Sequence, residues 1–94
     1  MRIELKKLFS ATTQVDEFDV RQMKKALNRL GYYQPYDKVG ITEIPDTAVF
    51  DAVKSFQRDQ GISVTGEVRP NDETLKKINS EIARVPSGKY GNAV

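Results

Sequence analysis

One apolar pattern occurs twice in this chain and limits what it can fold into. Val20-x-x-Met23-x-x-x-Leu27-x-x-Leu30-Gly31-Tyr32-Tyr33 is echoed by Val49-x-x-x-Val53-x-x-Phe56-Gln57-x-x-x-Gly61-Ile62. Apolar residues three and four apart line one side of a helix. In each copy the stripe stops at a glycine, which accepts the left-handed conformation that ends helices, and an apolar residue follows that can fold back on the last turn. A third, shorter stripe, Leu75-x-x-Ile78-x-x-x-Ile82, follows Pro70-Asn71-Asp72-Glu73. The pattern predicts an all-α fold, a compact three-helix bundle with long connecting loops.

A chain of 94 residues is one domain with a small core. The net charge of +2 is close to neutral and argues against a dedicated nucleic-acid binder, which concentrates basic residues on one surface. With no cysteine there is no disulfide, no thiolate nucleophile and no thiolate ligand. With no histidine the commonest general base and metal ligand is also missing. The remaining candidate ligands are carboxylates and amides without a calcium-loop pattern, so neither metal nor cofactor is expected. No apolar run approaches the ~18 residues of a membrane span. The N-terminal segment Met1–Phe9 lacks the continuous apolar stretch of a signal peptide.

Along the chain, residues 1–15 read as an N-terminal extension that packs on the bundle, with Ile3, Leu5, Leu8 and Phe9 as its apolar part and 10–14 as loop. The bundle spans 16–82, and 83–94 reads as a flexible tail. The first helix starts near Asp16–Asp19, with Asp19 as cap and Gln22 completing a capping-box-like pair. Arg21, Lys24, Lys25, Asn28 and Arg29 are placed on its solvent face. Residues 33–46 form a loop punctuated by Pro35, Gly40 and Pro45, with Ile41 and Ile44 pinning it to the core. The second helix follows a cap at Asp46 or Thr47 and buries Ala48, Val49, Ala52, Val53 and Phe56. Val64 and Val68 are read as inward in the turn before the third helix.

Several of these residues together resemble the peptidoglycan-binding domain family. They are Asp19-Val20 with Leu27-Asn-Arg-Leu-Gly-Tyr-Tyr33, then Ala52-Val53-Lys-Ser-Phe56-Gln57-Arg-Asp-Gln-Gly61-Ile62, then Thr65-Gly66-Glu-Val68-Arg-Pro70, and Thr74-Leu75 with Ile78-Asn79. The match covers roughly 16–80, and the Ala-Val-x-x-Phe-Gln-x-x-x-Gly-Ile run followed by Thr-Gly-x-Val is its specific part. The family is a three-helix module attached to amidases, carboxypeptidases, transglycosylases, L,D-transpeptidases and phage lysins. The family's Asp-Gly-x-Phe-Gly-Pro-x-Thr turn is altered here, with only Asp37, Gly40, Pro45 and Thr47 answering to it at changed spacing.

The resemblance implies a non-catalytic module that targets or tethers to the bacterial cell wall. Its ligand would be peptidoglycan or muropeptides, and its partner a wall hydrolase domain or another protein. It implies the cell envelope, the periplasm or a phage particle as location, with the cytoplasm left open by the missing signal peptide. A monomer is expected, without nucleic-acid or membrane partners. The expected ligand contacts are Tyr33, Tyr36, Asp37, Thr47, Gln57 and Arg58. The tyrosines would offer flat faces to sugar rings, and the others hydrogen bonds or charge to stem-peptide amides and carboxylates.

Each of these residues also has a plainer reading. For Tyr32 or Tyr33 the apolar cap of the first helix is the better reading, and for Gln57 the partner of a buried backbone group. Glu43, Asp46 and Asp51 could be imagined as an acid/base set, but a helix cap and an exposed helical residue explain Asp46 and Asp51 better. The basic residues of the first helix read as a solvated face. The alternative function is a protein–protein adaptor on the same fold that has lost wall binding.

Overall fold

A computed structural model describes residues 1–35 and 38–85. Tyr36, Asp37 and the greater part of the expected tail, 86–94, lie outside the described residues. Among the described residues there are three helices and no sheet: α1, Glu17–Arg29; α2, Thr47–Gln60; α3, Glu73–Arg84.

Each helix begins at an aspartate. Asp16, Asp46 and Asp72 accept the N–H groups of Asp19, Val49 and Leu75 at 3.0, 2.9 and 2.9 Å. A cap of this kind contributes about 1 kcal/mol. Asp72 also accepts the Arg69 N–H at 2.8 Å, closing a turn in which Asn71 takes a left-handed φ of 64°. Asparagine tolerates that conformation better than other non-glycine residues. The α1 cap is therefore Asp16 rather than Asp19. At the far end of α2, Gly61 is left-handed with φ 72°, and the Ile62 N–H returns to the Gln57 carbonyl at 3.1 Å. The α1 stripe ends in the same manner, with the Tyr32 N–H on the Leu27 carbonyl at 2.8 Å.

The freed Asp19 has another task. It is fully buried, and its carboxylate accepts the backbone N–H groups of Lys6 (3.0 Å) and Lys7 (3.2 Å). Residues 1–9 form an arm laid across the bundle. Ile3, Leu5 and Phe9 enter the core, and each buried side chain of this size stabilises by about 1.5–3 kcal/mol. The Asn79 side chain on α3 bonds both the N–H and the C=O of Ile3, at 2.8 and 2.9 Å. Phe9 exchanges two backbone hydrogen bonds with Val68, at 2.8 and 2.9 Å, and its ring lies 4.9 Å from that of Phe50.

The buried faces differ from the sequence expectation at several positions. Lys24 and Asn28 are buried, because Tyr33 and the loop before α2 cover that row of α1. Ile44 is 66% exposed, so it pins nothing, while Ile41 is half-buried. The loop is held by polar bonds instead: Lys24 Nζ to Thr42 Oγ1 at 3.1 Å, and Arg21 to Glu43 at 2.7 Å. On α2, Phe50 is buried and Ala48 exposed, which rotates the core face slightly from the expected one. Val68 is fully buried, whereas Val64 points outward.

Candidate functional site

The start of α2 is fixed by a cluster around Lys24. This ammonium is 1% exposed and stands 3.2 Å from Asp46 Oδ2, 3.1 Å from Thr42 Oγ1 and 5.5 Å from the centre of the Tyr33 ring. The Tyr33 hydroxyl donates to Asp46 Oδ2 at 2.9 Å, and Asn28 Nδ2 donates to the Tyr33 carbonyl at 2.9 Å. Partial burial pushes the Asp46 carboxyl up. The Val49 amide, the Tyr33 hydroxyl and Lys24 together outweigh this and hold it below the ordinary aspartate value. That direction keeps Asp46 ionised, the opposite of what a general acid needs.

The other end of α2 is organised by Gln57, whose carboxamide is 1% exposed. Its oxygen accepts the N–H groups of Thr65 (3.0 Å) and Gly66 (2.9 Å). Its nitrogen lies within bonding distance of Thr65 Oγ1, the Glu67 carbonyl and Thr74 Oγ1, at 3.1–3.2 Å. One side chain thus ties α2 to the 62–68 turn and to α3, which is why the Phe-Gln pair and the Thr-Gly pair belong together in the sequence. Gly66 has φ 75°, and a Cβ there would stand 2.9 Å from Lys54 Cε, so the Lys54 stem lies directly over the turn.

The six expected contact residues separate into three groups. Tyr33, 2% exposed, and Gln57 sit inside the framework, and their polar atoms serve it. Thr47 and Arg58 are exposed on α2. They lie three helical turns apart, about 16 Å, and Asp51 and Lys54 complete the same outward stripe between them. Tyr36 and Asp37 are outside the described residues.

Beside the Arg58 end lies a groove of about 360 Å³ with Gln57 at its base and Ile62, Thr65, Glu67, Arg69 and Glu73 among its walls. Sequence reasoning passed over these wall residues. Their signal was the Gly61-Ile62 and Thr65-Gly66 pairs, which mark a fixed turn against a helix end. The groove mixes a guanidinium, three carboxylates (Glu67, Asp72 and Glu73) and hydroxyls over a half-buried Ile62. Such a surface can hold a zwitterionic peptide or an amide-bearing sugar through several weak bonds.

Among the described residues no group of three or more His, Cys, Asp or Glu is placed to hold a metal, and no helix is long and apolar enough to cross a membrane. No curated protein and no solved structure matches the chain. The sequence pattern of the peptidoglycan binding domain family matches residues 17–78, from the first turn of α1 into α3, and this span contains the Asp46 cap, Gln57 and the groove beside it. A match over this much of the chain is decisive: the chain belongs to the peptidoglycan binding domain family.

Proposed function

We propose that this chain is a non-catalytic module that binds peptidoglycan and tethers whatever it is joined to onto the cell wall. The observation that carries the reading is family membership across 17–78. The ligand face is the outward stripe of α2, with Thr47, Asp51, Lys54 and Arg58, continued by the groove at Ile62, Thr65, Glu67, Arg69 and Glu73. Tyr36 and Asp37 are the two further contacts that the family resemblance implies. Lys54, Arg58 and Arg69 suit stem-peptide carboxylates, Asp51 and Glu67 suit free amines, and the threonines suit amides. Tyr33 and Gln57 hold the two ends of the face in place rather than touching ligand. Each contact is weak and exposed, so affinity comes from many wall sites or from a tethered hydrolase domain. The test is an NMR titration of the labelled chain with soluble muropeptides. Saturable shifts along 47–58 and 62–73 are the expected result, and none at millimolar ligand overturns the reading.

A second reading is a protein adaptor. The exposed Ile44 beside Pro45, at a groove of about 340 Å³ that also holds Val15 and Glu17, favours it. Sedimentation with purified sacculi separates the two, because an adaptor stays in the supernatant.

A further inference from the structure

Among the described residues, the arm presents one backbone edge with no hydrogen-bond partner on it. Along residues 2–6, Ile3 and Leu5 are buried while Arg2, Glu4 and Lys6 are exposed, the two-residue period of an extended chain. In such a chain the N–H and C=O groups of successive residues point to opposite sides. Those of Ile3 point to α3, where Asn79 takes both. The Lys6 N–H points to α1, where Asp19 accepts it at 3.0 Å. Arg2 and Glu4 share the Lys6 side, and among the described residues their backbone groups have no hydrogen-bond partner. They open onto a groove of about 340 Å³ lined by Arg2, Glu4, Leu5, Lys6, Phe18 and Gln22.

Two further features mark this groove as a surface for a partner. Phe18, in the first turn of α1, is 51% exposed, with Lys6 Nζ 5.0 Å from its ring centre. The aromatic ring and the unpaired backbone groups border one groove, so a single extended segment can meet both. The charges around it are unequal: Arg2 and Lys6 line the groove against the one carboxylate of Glu4, and Lys25 follows on the exposed face of α1 one turn beyond Gln22.

We infer that this groove takes an extended, acidic segment of a protein partner. The segment adds as a strand to the outer edge of residues 2–4 and lays an apolar side chain on Phe18, with its carboxylates toward Arg2, Lys6 and Lys25. The backbone pairing supplies adhesion, and Phe18 with the cations supplies selectivity. This surface lies on the arm and α1, apart from the α2 face assigned to the wall, and stands whether or not sacculi are bound.

The probe is a capped hexapeptide alternating valine and glutamate, titrated into the labelled full chain. The expected result is saturable amide shifts at Glu4, Phe18 and Gln22 with slowed hydrogen exchange at Glu4. Glu4→Pro removes the edge donor but keeps the extended path through Ile3, and Phe18→Ser removes the aromatic wall. Each weakens binding about tenfold, the effect of losing one or two hydrogen bonds or an apolar contact, with the melting temperature unchanged. No saturable shift at millimolar peptide overturns the inference. So does equal binding by a peptide N-methylated at alternate amides, which cannot pair as a strand. Shifts at the same residues on raising protein concentration without peptide overturn it in favour of a second copy of the chain.

Discussion

The Lys24 ammonium stands 3.2 Å from the Asp46 carboxylate, and the two sit at unequal depth: Lys24 is sealed from solvent, whereas Asp46 keeps one side in water. Removing one partner therefore differs from removing the other. Asp46→Ala strands a buried ammonium and deletes the α2 cap, a loss of about 4 kcal/mol. Lys24→Met leaves a carboxylate that water and the Val49 amide still serve, and costs about 2 kcal/mol. Urea denaturation of both variants and the double variant gives the order and the coupling between them.

Acid acts on the same group. The folded-state value of Asp46 lies below its ordinary 3.8, so its contribution to stability is complete above that value and disappears as pH falls through the lower, folded one. Unfolding free energy measured from pH 6 down to pH 2 should fall more steeply for the native chain than for Asp46→Asn. Parallel curves would remove Asp46 as a source of the acid sensitivity.

Gln57 gives a sharper test of the framework. Gln57→Leu keeps the volume but leaves the buried Gly66 N–H and Thr74 hydroxyl without their partner, at a cost of about 3 kcal/mol. Gln57→Glu does no better, since it sets an acceptor against the Glu67 carbonyl. Amide exchange at Gly66 should accelerate in both, with α1 amides little changed.

Wall binding and stability should separate between Arg58 and Tyr33. Arg58→Ala lowers retention on sacculi severalfold and leaves the melting temperature within error, because its side chain is exposed. Tyr33→Phe loses the bond to Asp46 and about 1 kcal/mol of stability, with retention unchanged. Reversed outcomes would move the ligand face from α2 to the Tyr33 loop.

What could be read from the sequence followed periodicity. Three stripes, the glycine stops of the first two and the Asp46 cap were visible because helix geometry repeats locally. Lys24 and Asn28 were assigned to solvent by chemical type, yet they continue the row begun by fully buried Val20 at four-residue spacing. Their partners, Asp46 and Tyr33, belong to the next loop and helix start. Asp19 was misread for a similar reason, since the amides it serves come from an arm whose path no local pattern fixes. Ile44 and Val64 failed in the opposite sense: an apolar residue in an aperiodic loop carries no information about which way it faces. Of the proposed ligand face, Thr47 and Arg58 could be named from the sequence and share a helical side, whereas Glu67 and Arg69 take their position from where Gln57 anchors the turn.

The arm has a consequence for moving this module between proteins. The family pattern begins at residue 17, but Ile3, Leu5 and Phe9 fill space that α1, α2 and α3 leave open. A domain cut at the start of α1 would expose Val68, strand the Asp19 carboxylate and free the Asn79 carboxamide in one step. Grafted without its arm onto a new catalytic partner, the module would inherit the family signature and lose part of its interior, so the transferable unit begins at the arm and not at the first helix.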